Sequence, residues 1–253
     1  MDWILAMAGL GVGALVGLTG VGGGSLMTPF LLFYGIPPAV AVGTDLAYAA
    51  IAKSLGVWLR HKARSIDWRT AVLLMCGSLP AAAIVILSMK AFALETELFG
   101  TIITRLLAVS LVLTSLTVLG QHWLQGVRTD LPEIRGRTGL TVLAGVVLGT
   151  LVTLSSVGSG AIGTALLLLL YPRWSSARVV GTDLAYAVPL TATAAFGHLW
   201  LGNVNPGYVF SLVIGAIPGM YIGTRMGLRL PEALVRTVLG VLLFGVGVSL
   251  LWK

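Results

Sequence analysis

Apolar residues run through this chain in long blocks, and polar positions gather in short segments between them. Residues 71–89, 101–119 and 234–251 are each apolar over about the 20 residues that a bilayer-crossing helix needs. The blocks at 4–18 and 26–34 are shorter, as are those at 140–154 and 162–171. At about 1.5 Å of rise per residue, none of these four spans ~30 Å of hydrocarbon as a helix. A Gly-rich segment divides each pair. The pattern predicts an all-α polytopic membrane protein with full helices at about 42–60, 69–89, 100–119, 180–199, 207–226 and 232–251. Each broken pair is either one interrupted spanning helix or a re-entrant hairpin that enters and leaves on one side. Non-helical backbone at that depth is tolerated only inside protein or beside a polar cavity.

The second half of this pattern repeats the first. Val42-Gly43-Thr44-Asp45-Leu46-Ala47-Tyr48-Ala49 recurs unchanged as Val180-Gly181-Thr182-Asp183-Leu184-Ala185-Tyr186-Ala187, 138 residues later. At the same offset Gly77-Ser78-Leu79-Pro80 matches Gly215-Ala216-Ile217-Pro218, and Ile66-Asp67 matches Val204-Asn205. Leu18-Thr19-Gly20-Val21-Gly22-Gly23-Gly24 matches Leu154-Ser155-Ser156-Val157-Gly158-Ser159-Gly160 after a small change in length, and Arg105 falls opposite Arg236. An internal duplication follows: an N-terminal repeat over 1–119, a polar linker over 120–138 and a C-terminal repeat over 139–253.

Charge says how the repeats should lie. The loop 60–69 carries Arg60, Lys62, Arg64 and Arg69, whereas its counterpart 198–207 carries no Lys or Arg. Conversely, 35–41 is uncharged and its counterpart contains Arg173 and Arg178. The turn with Lys90, Glu95 and Glu97 is net negative, and its counterpart has Arg225 and Arg229. Equivalent loops exchange their bias, as inverted-topology repeats do under the positive-inside rule. Inversion requires an odd number of crossings per repeat, which a re-entrant hairpin plus three full helices supplies. The linker, with Arg128, Arg135 and Arg137, is then cytoplasmic, and both termini face outside.

Composition narrows the function classes. Of 253 residues, 57% are hydrophobic and 10% charged, against about 25% charged in a soluble domain, so no soluble domain is expected. The net charge of +7 follows from the positive-inside bias and does not call for nucleic acid. A single cysteine, Cys76, excludes an intramolecular disulfide and is expected to be a small buried residue. Met1-Asp2-Trp3 lacks the basic region of a cleavable signal, so the first apolar segment is expected to be retained. No metal-ligand spacing and no nucleophile–base pair stands out, so neither a metal, a cofactor nor an enzymatic activity is expected.

The Gly-rich breaks are the first candidate site. Neither has the spacing of a phosphate-binding loop or a strand before it. In a membrane they read as helix breaks with free N–H groups, and the helices after them, starting near Ser25 and Ala161, would point positive ends at the midplane. Two such ends facing one cavity make an anion site without buried cations. The residues expected to bind substrate are Thr19, Gly22, Gly23, Gly24 and Ser25, with Ser155, Ser156, Gly158, Ser159 and Gly160 in the second copy. The bland alternative is that these glycines only permit close helix packing.

The repeated octapeptide offers the second set. Thr44-Asp45 and Thr182-Asp183 fit helix N-caps with dipole-matched acids. They also fit proton-binding carboxylates beside an anion site, repelling substrate when ionised and admitting it when neutral. Tyr48 and Tyr186 lie one helical turn further on. Lys53 sits deep in an apolar block, where snorkelling is strained, and its repeat counterpart is Thr191. It is expected to touch substrate or Asp45. Arg105 and Arg236 read as interface anchors, His61 and His198 as loop residues, and Pro80 and Pro218 as helix kinks.

Taken together, two halves that open on Gly-rich breaks, each followed by Val-Gly-Thr-Asp and Gly-x-x-Pro, resemble the TauE/SafE sulfite exporter family. His198-x-x-x-Gly202-x-Val204 is similar to a further motif of that family, and the copy from His61 is one residue short. The second break departs from the fuller Gly-Gly-Gly form. The resemblance covers essentially the whole chain. It implies a bacterial inner-membrane carrier that exports sulfite, sulfonates or related small sulfur-containing anions; the two repeats lead to the expectation of alternating access, one rocking against the other around a midplane site. Two other classes stay open: a carrier of cations or neutral solutes, with Asp45 and Asp183 lining its cavity, and a membrane-embedded accessory protein of sulfur metabolism.

Overall fold

A computed structural model of the chain describes residues 2–19, 24–62, 64–91, 96–127, 136–227 and 232–252. Among these residues there are ten helices and no strand. In the first half they are α1 (Trp3–Thr19), α2 (Gly24–Phe33), α3 (Pro38–Lys62), α4 (Trp68–Ala91) and α5 (Thr96–Val127). Their counterparts are α6 (Arg137–Ser155), α7 (Ala161–Leu170), α8 (Ser176–Trp200), α9 (Pro206–Gly227) and α10 (Glu232–Leu251). Six segments are long and apolar enough to cross a membrane: Pro38–Lys62, Trp68–Ala91, Gly100–Gly120, Arg137–Ser155, Ser176–Trp200 and Pro206–Gly223.

Local chemistry places several helix starts. Pro38 and Pro206 open α3 and α9, where a missing N–H removes nothing from the helix. Ser175 caps α8 by accepting the N–H of Arg178 at 3.3 Å. These starts correct two sequence expectations. Helices α3 and α8 begin four residues before the expected 42 and 180, so Thr44, Asp45, Thr182 and Asp183 lie about two turns inside them and do not cap them. Helix α6 has 19 residues and is long enough to span, whereas the block at 140–154 looked too short. The short arms are α2 and α7, ten residues each, or ~15 Å. The segment read as linker is helical up to Val127.

Glycines set how the helices pair. A methyl group on Gly215, Gly219 or Gly223 of α9 would collide with the backbone at Ala6, Leu10 or Ala14 of α1, so these two helices run parallel in close contact. Helices α4 and α6 do likewise, with Gly145 against Leu74 and Gly149 against Ser78. Equivalent helices instead meet antiparallel. In the α3–α8 pair, Gly43 lies against His198 and Asn203, and Gly56 against Leu184. In the α5–α10 pair, Gly240 lies against Leu119 and Gly247 against Ala108, and Ser115 Oγ donates to the Gly240 carbonyl at 2.8 Å.

The α3–α8 pair forms the centre. Val42 and Leu46 of α3 join Ala185, Tyr186 and Leu190 of α8, with Leu74 and Leu148, in one apolar core. Cys76, expected inside, is exposed on the outer face of α4. Pro80 and Pro218 lie within α4 and α9.

Candidate functional site

Between α6 and α7 the chain makes the break that its Ser-Ser-Val-Gly-Ser-Gly sequence suggests. Ser156 ends α6 in the left-handed conformation (φ 59°), its N–H bonded to the Val152 carbonyl at 2.8 Å. Ser155 Oγ donates to the Leu151 carbonyl at 2.7 Å and accepts the Val157 N–H at 3.3 Å. Gly158 and Gly160 adopt φ of 127° and 129°, a region that side-chain-bearing residues rarely enter. Helix α7 then starts with no side-chain cap, and its first bonded N–H groups are those of Gly163, to Gly158, and Thr164, to Gly160. The N–H groups of Ala161 and Ile162 sit in a first turn that has no intrahelical acceptor for them. Residues 155–160 and Gly163 are buried, and Ala161 and Ile162 are partly buried.

Lys53 reaches this break from α3. Its ammonium donates to Ser159 Oγ at 2.5 Å and to the Ser159 carbonyl at 3.3 Å, and the residue is only 5% exposed. The sequence expectation of an uncomfortable, buried lysine is therefore met by a specific partner, and that partner is the second half's helix break. It also interacts electrostatically with Asp183 and Asp45.

Both aspartates are buried, each with one oxygen left over. Asp45 Oδ2 accepts from the Thr28 hydroxyl of α2, and its Oδ1 has no hydrogen-bond partner. Ser156 approaches the same carboxyl without a directed hydrogen bond. Asp183 Oδ1 is likewise unpartnered and lies, with the Tyr186 hydroxyl, against Gly163 of α7. A methyl group on Gly163 would come within 2.7 Å of Tyr186 Oη and closer still to Asp183. The hydroxyls of Tyr48 and Tyr186 are buried without partners as well. Orphaned polar groups are rare in protein interiors, and those of Ser156, Asp183 and Tyr186 lie in or against the α6–α7 break.

The threonines of the octapeptide do something else. Thr182 Oγ1 accepts the N–H of Asp67 at 3.0 Å, and Thr44 Oγ1 accepts that of Asn205 at 3.3 Å. Residues 67 and 205 are equivalent positions, so each threonine holds the loop that enters the next helix of the other half. Among the first half's expected site residues, Gly22 and Gly23 lie outside the described residues, and so do the side chains of Thr19, Gly24 and Ser25.

His198 was missed as a buried group. It lies in the last turn of α8, fully buried, and its Nε2 donates to the Thr153 carbonyl at 2.9 Å, satisfying a carbonyl at the end of α6. Its Nδ1 has no partner. The apolar residues around it in the sequence were the available signal.

At the starts of α4 and α8, Asp67 pairs with Arg178. Partial burial pushes the Asp67 carboxyl up, but the Thr70 N–H and the Arg178 guanidinium outweigh that and hold it below the ordinary carboxylate value.

Comparison with known proteins agrees with this architecture. A probable membrane transporter of Bacillus subtilis, YjnA, is 33% identical over 99% of this chain and all of its own length. A probable membrane transporter of Methanocaldococcus jannaschii is 23% identical over 90% of this chain and 86% of its own. No solved structure matches. The sulfite exporter TauE/SafE family model matches residues 5–250, and the chain belongs to this family of membrane transporters.

Proposed function

We propose that this transporter exports sulfite or a related small sulfur-containing anion across the bacterial inner membrane by alternating access, coupled to protons. The observation that carries the reading is the meeting of Lys53 with Ser159 in a buried helix break, at the positive N-terminus of α7. Ser155, Ser156, Gly158 and Gly160 shape that pocket. By repetition, Thr19, Gly22, Gly23, Gly24 and Ser25 form its counterpart, and Asp45 and Asp183 bind the coupling proton.

Alternating access is supported by pairing. Equivalent helices α3 and α8 run antiparallel, as do α5 and α10, which favours two repeats of inverted topology. In that arrangement α1–α2 and α6–α7 are re-entrant hairpins opening on opposite sides. The loop at 60–69, the linker around 128–137 and the start of α8 then share the cytoplasmic side, which collects 12 of the 16 basic residues.

Flux of labelled sulfite into and out of proteoliposomes, with and without a pH gradient, tests the reading. Flux above that of empty vesicles, accelerated by the gradient and uncoupled in Asp45→Asn or Asp183→Asn, is expected. No flux removes the sulfite assignment, and gradient-independent flux in all three proteins removes proton coupling.

One observation favours a second reading, a cation carrier. Asp45 and Asp183 each hold an unpartnered carboxyl oxygen. Lys53 opposes it, because a buried ammonium that interacts with both acids repels a cation. Sodium- or potassium-driven flux without sulfite would favour the cation carrier.

A further inference from the structure

The proposed anion pocket contains three ionisable groups whose charges do not balance, and the imbalance bears on what can enter. Lys53 of α3 supplies one positive charge. Asp45 of α3 and Asp183 of α8 supply two carboxyls, all three groups being buried. Among the described residues, the other side chains that act on these three are Thr28 of α2, Tyr48 of α3, Tyr186 of α8, and Ser156 and Ser159 of the α6–α7 break. The undescribed residues 20–23 carry no ionisable side chain. The duplication produced two acids and one base because position 191, equivalent to Lys53, is a threonine bonded to its own helix at the Ala187 carbonyl.

A net charge buried in low dielectric is expensive, so the pocket favours states whose charges cancel. Empty, it cancels with Lys53 charged, one aspartate ionised and the other protonated. A singly charged anion that takes Lys53 as its partner displaces the role of the ionised aspartate, which must then gain a proton. From the geometry we infer that the pocket takes one singly charged oxyanion per cycle, bisulfite or an organosulfonate, paired with Lys53 and accompanied by one proton. The proton comes from the water on the side of entry, forms an O–H bond on Asp45 or Asp183, and leaves with the anion on the other side. One negative and one positive charge cross together, so transport is electroneutral. A doubly charged anion leaves one charge uncancelled and is disfavoured.

The inference rests on the anion reading above, and the test separates the two. Proteoliposomes loaded with methanesulfonate, which keeps a single charge, are compared under a pH gradient and under potassium-diffusion potentials of either sign. Rates are expected to follow the pH gradient and to change less than about twofold with either potential, and unlabelled sulfate is expected to compete at least about tenfold more weakly than methanesulfonate. Flux driven by the potential, or equal competition by sulfate, overturns the inference and leaves the anion reading standing. Electroneutral flux of formate but of no sulfur anion keeps the inference and removes the sulfur assignment. Absence of any anion flux removes both.

Variants check the cation. Lys53→Thr, which makes the first half like the second, is expected to lower methanesulfonate flux at least about tenfold, because the anion loses its buried partner. Lys53→Arg, which keeps the charge, is expected to retain preference for methanesulfonate over sulfate even where its rate falls. Flux within about twofold of the parent in a folded Lys53→Thr protein overturns the pairing.

Discussion

In both halves a threonine of the repeated octapeptide holds the loop of the other half: Thr182 accepts the Asp67 N–H, and Thr44 accepts the Asn205 N–H. In both halves the preceding glycine lies directly against that loop, Gly181 on Ser65 and Gly43 on Asn203. One turn or two away, the halves part company. Lys53 spans to the opposite break, whereas Thr191 bonds its own helix. Asp67 pairs with Arg178, whereas Asn205 bonds the N–H groups of Gly207 and Tyr208. Where backbone meets backbone the duplication is kept, and the buried acids Asp45 and Asp183 are kept with it, whereas the buried cation Lys53 and the Asp67–Arg178 pair each occur in one copy alone.

The strongest way to break that comparison is to load the shared contact. A valine at Gly43 or Gly181 places its Cβ against the facing loop backbone, which cannot move aside as a flexible side chain would. Each substitution is expected to cost about 3 kcal/mol or slightly more. Thermal unfolding in detergent should show similar losses for the two. A silent result at one position would mean that the two contacts are not equivalent.

A smaller loss is expected at Gly163, which has no small counterpart in the first half, where Met27 occupies the equivalent position. Gly163→Ala drives a methyl group toward Asp183 and Tyr186. The expected cost is about 2 kcal/mol in stability together with a fall in anion flux of roughly tenfold. Unchanged flux with normal stability would show that this carboxyl moves freely and that α7 does not position it.

Smaller again are Thr44→Val and Thr182→Val. Each removes the acceptor of a loop N–H and keeps the shape of the side chain, so about 1 kcal/mol is expected from each. The sharpened form of the comparison is additivity: the two sites lie at opposite ends of the α3–α8 pair, so the double variant should lose the sum. A shortfall would mean that the two loops are coupled through that pair.

These contacts also mark what the sequence reveals and what it hides. Hydrophobic period and the 138-residue offset are enough to read the membrane class, the duplication and the broken pairs, because they depend only on composition along the chain. Helix starts differ at α3 and α8, because their first turns fall in the short segments marked as loops by Pro37-Pro38 and by Ser175-Ser176 with Arg178. Thr44 and Thr182 looked like caps because a cap and a long-range acceptor need the same side chain, and only the partner distinguishes them. Lys53 stood out from its burial cost, but its bond to Ser159 joins residues 106 positions apart, which no local pattern encodes. His198 read as a loop residue because its carbonyl partner, Thr153, lies 45 positions away.

The smallest expected effect comes from the charged difference at the loops. Asp67→Asn makes the first loop resemble the second, where Asn205 stands. The pair it removes is partly solvated, with Arg178 48% exposed, so ~0.5 kcal/mol is expected at neutral pH. Its pH dependence is more telling than its size. The folded Asp67 carboxyl titrates below its ordinary value of 3.8. Its contribution is therefore fully present above that value and is lost as the pH falls through the lower, folded value. The parent and Asp67→Asn should differ in thermal stability at about pH 6 and converge only as the pH falls below 3.8 and through the lower, folded value. The same scan on Asn205→Asp is the control: position 40, equivalent to Arg178, is a valine, so a carboxylate at 205 has no guanidinium to meet. It should gain no comparable acid-sensitive stability. If it gains as much as Asp67 contributes, the acid sensitivity belongs to the helix-start geometry common to both loops, and the ion pair is incidental to it.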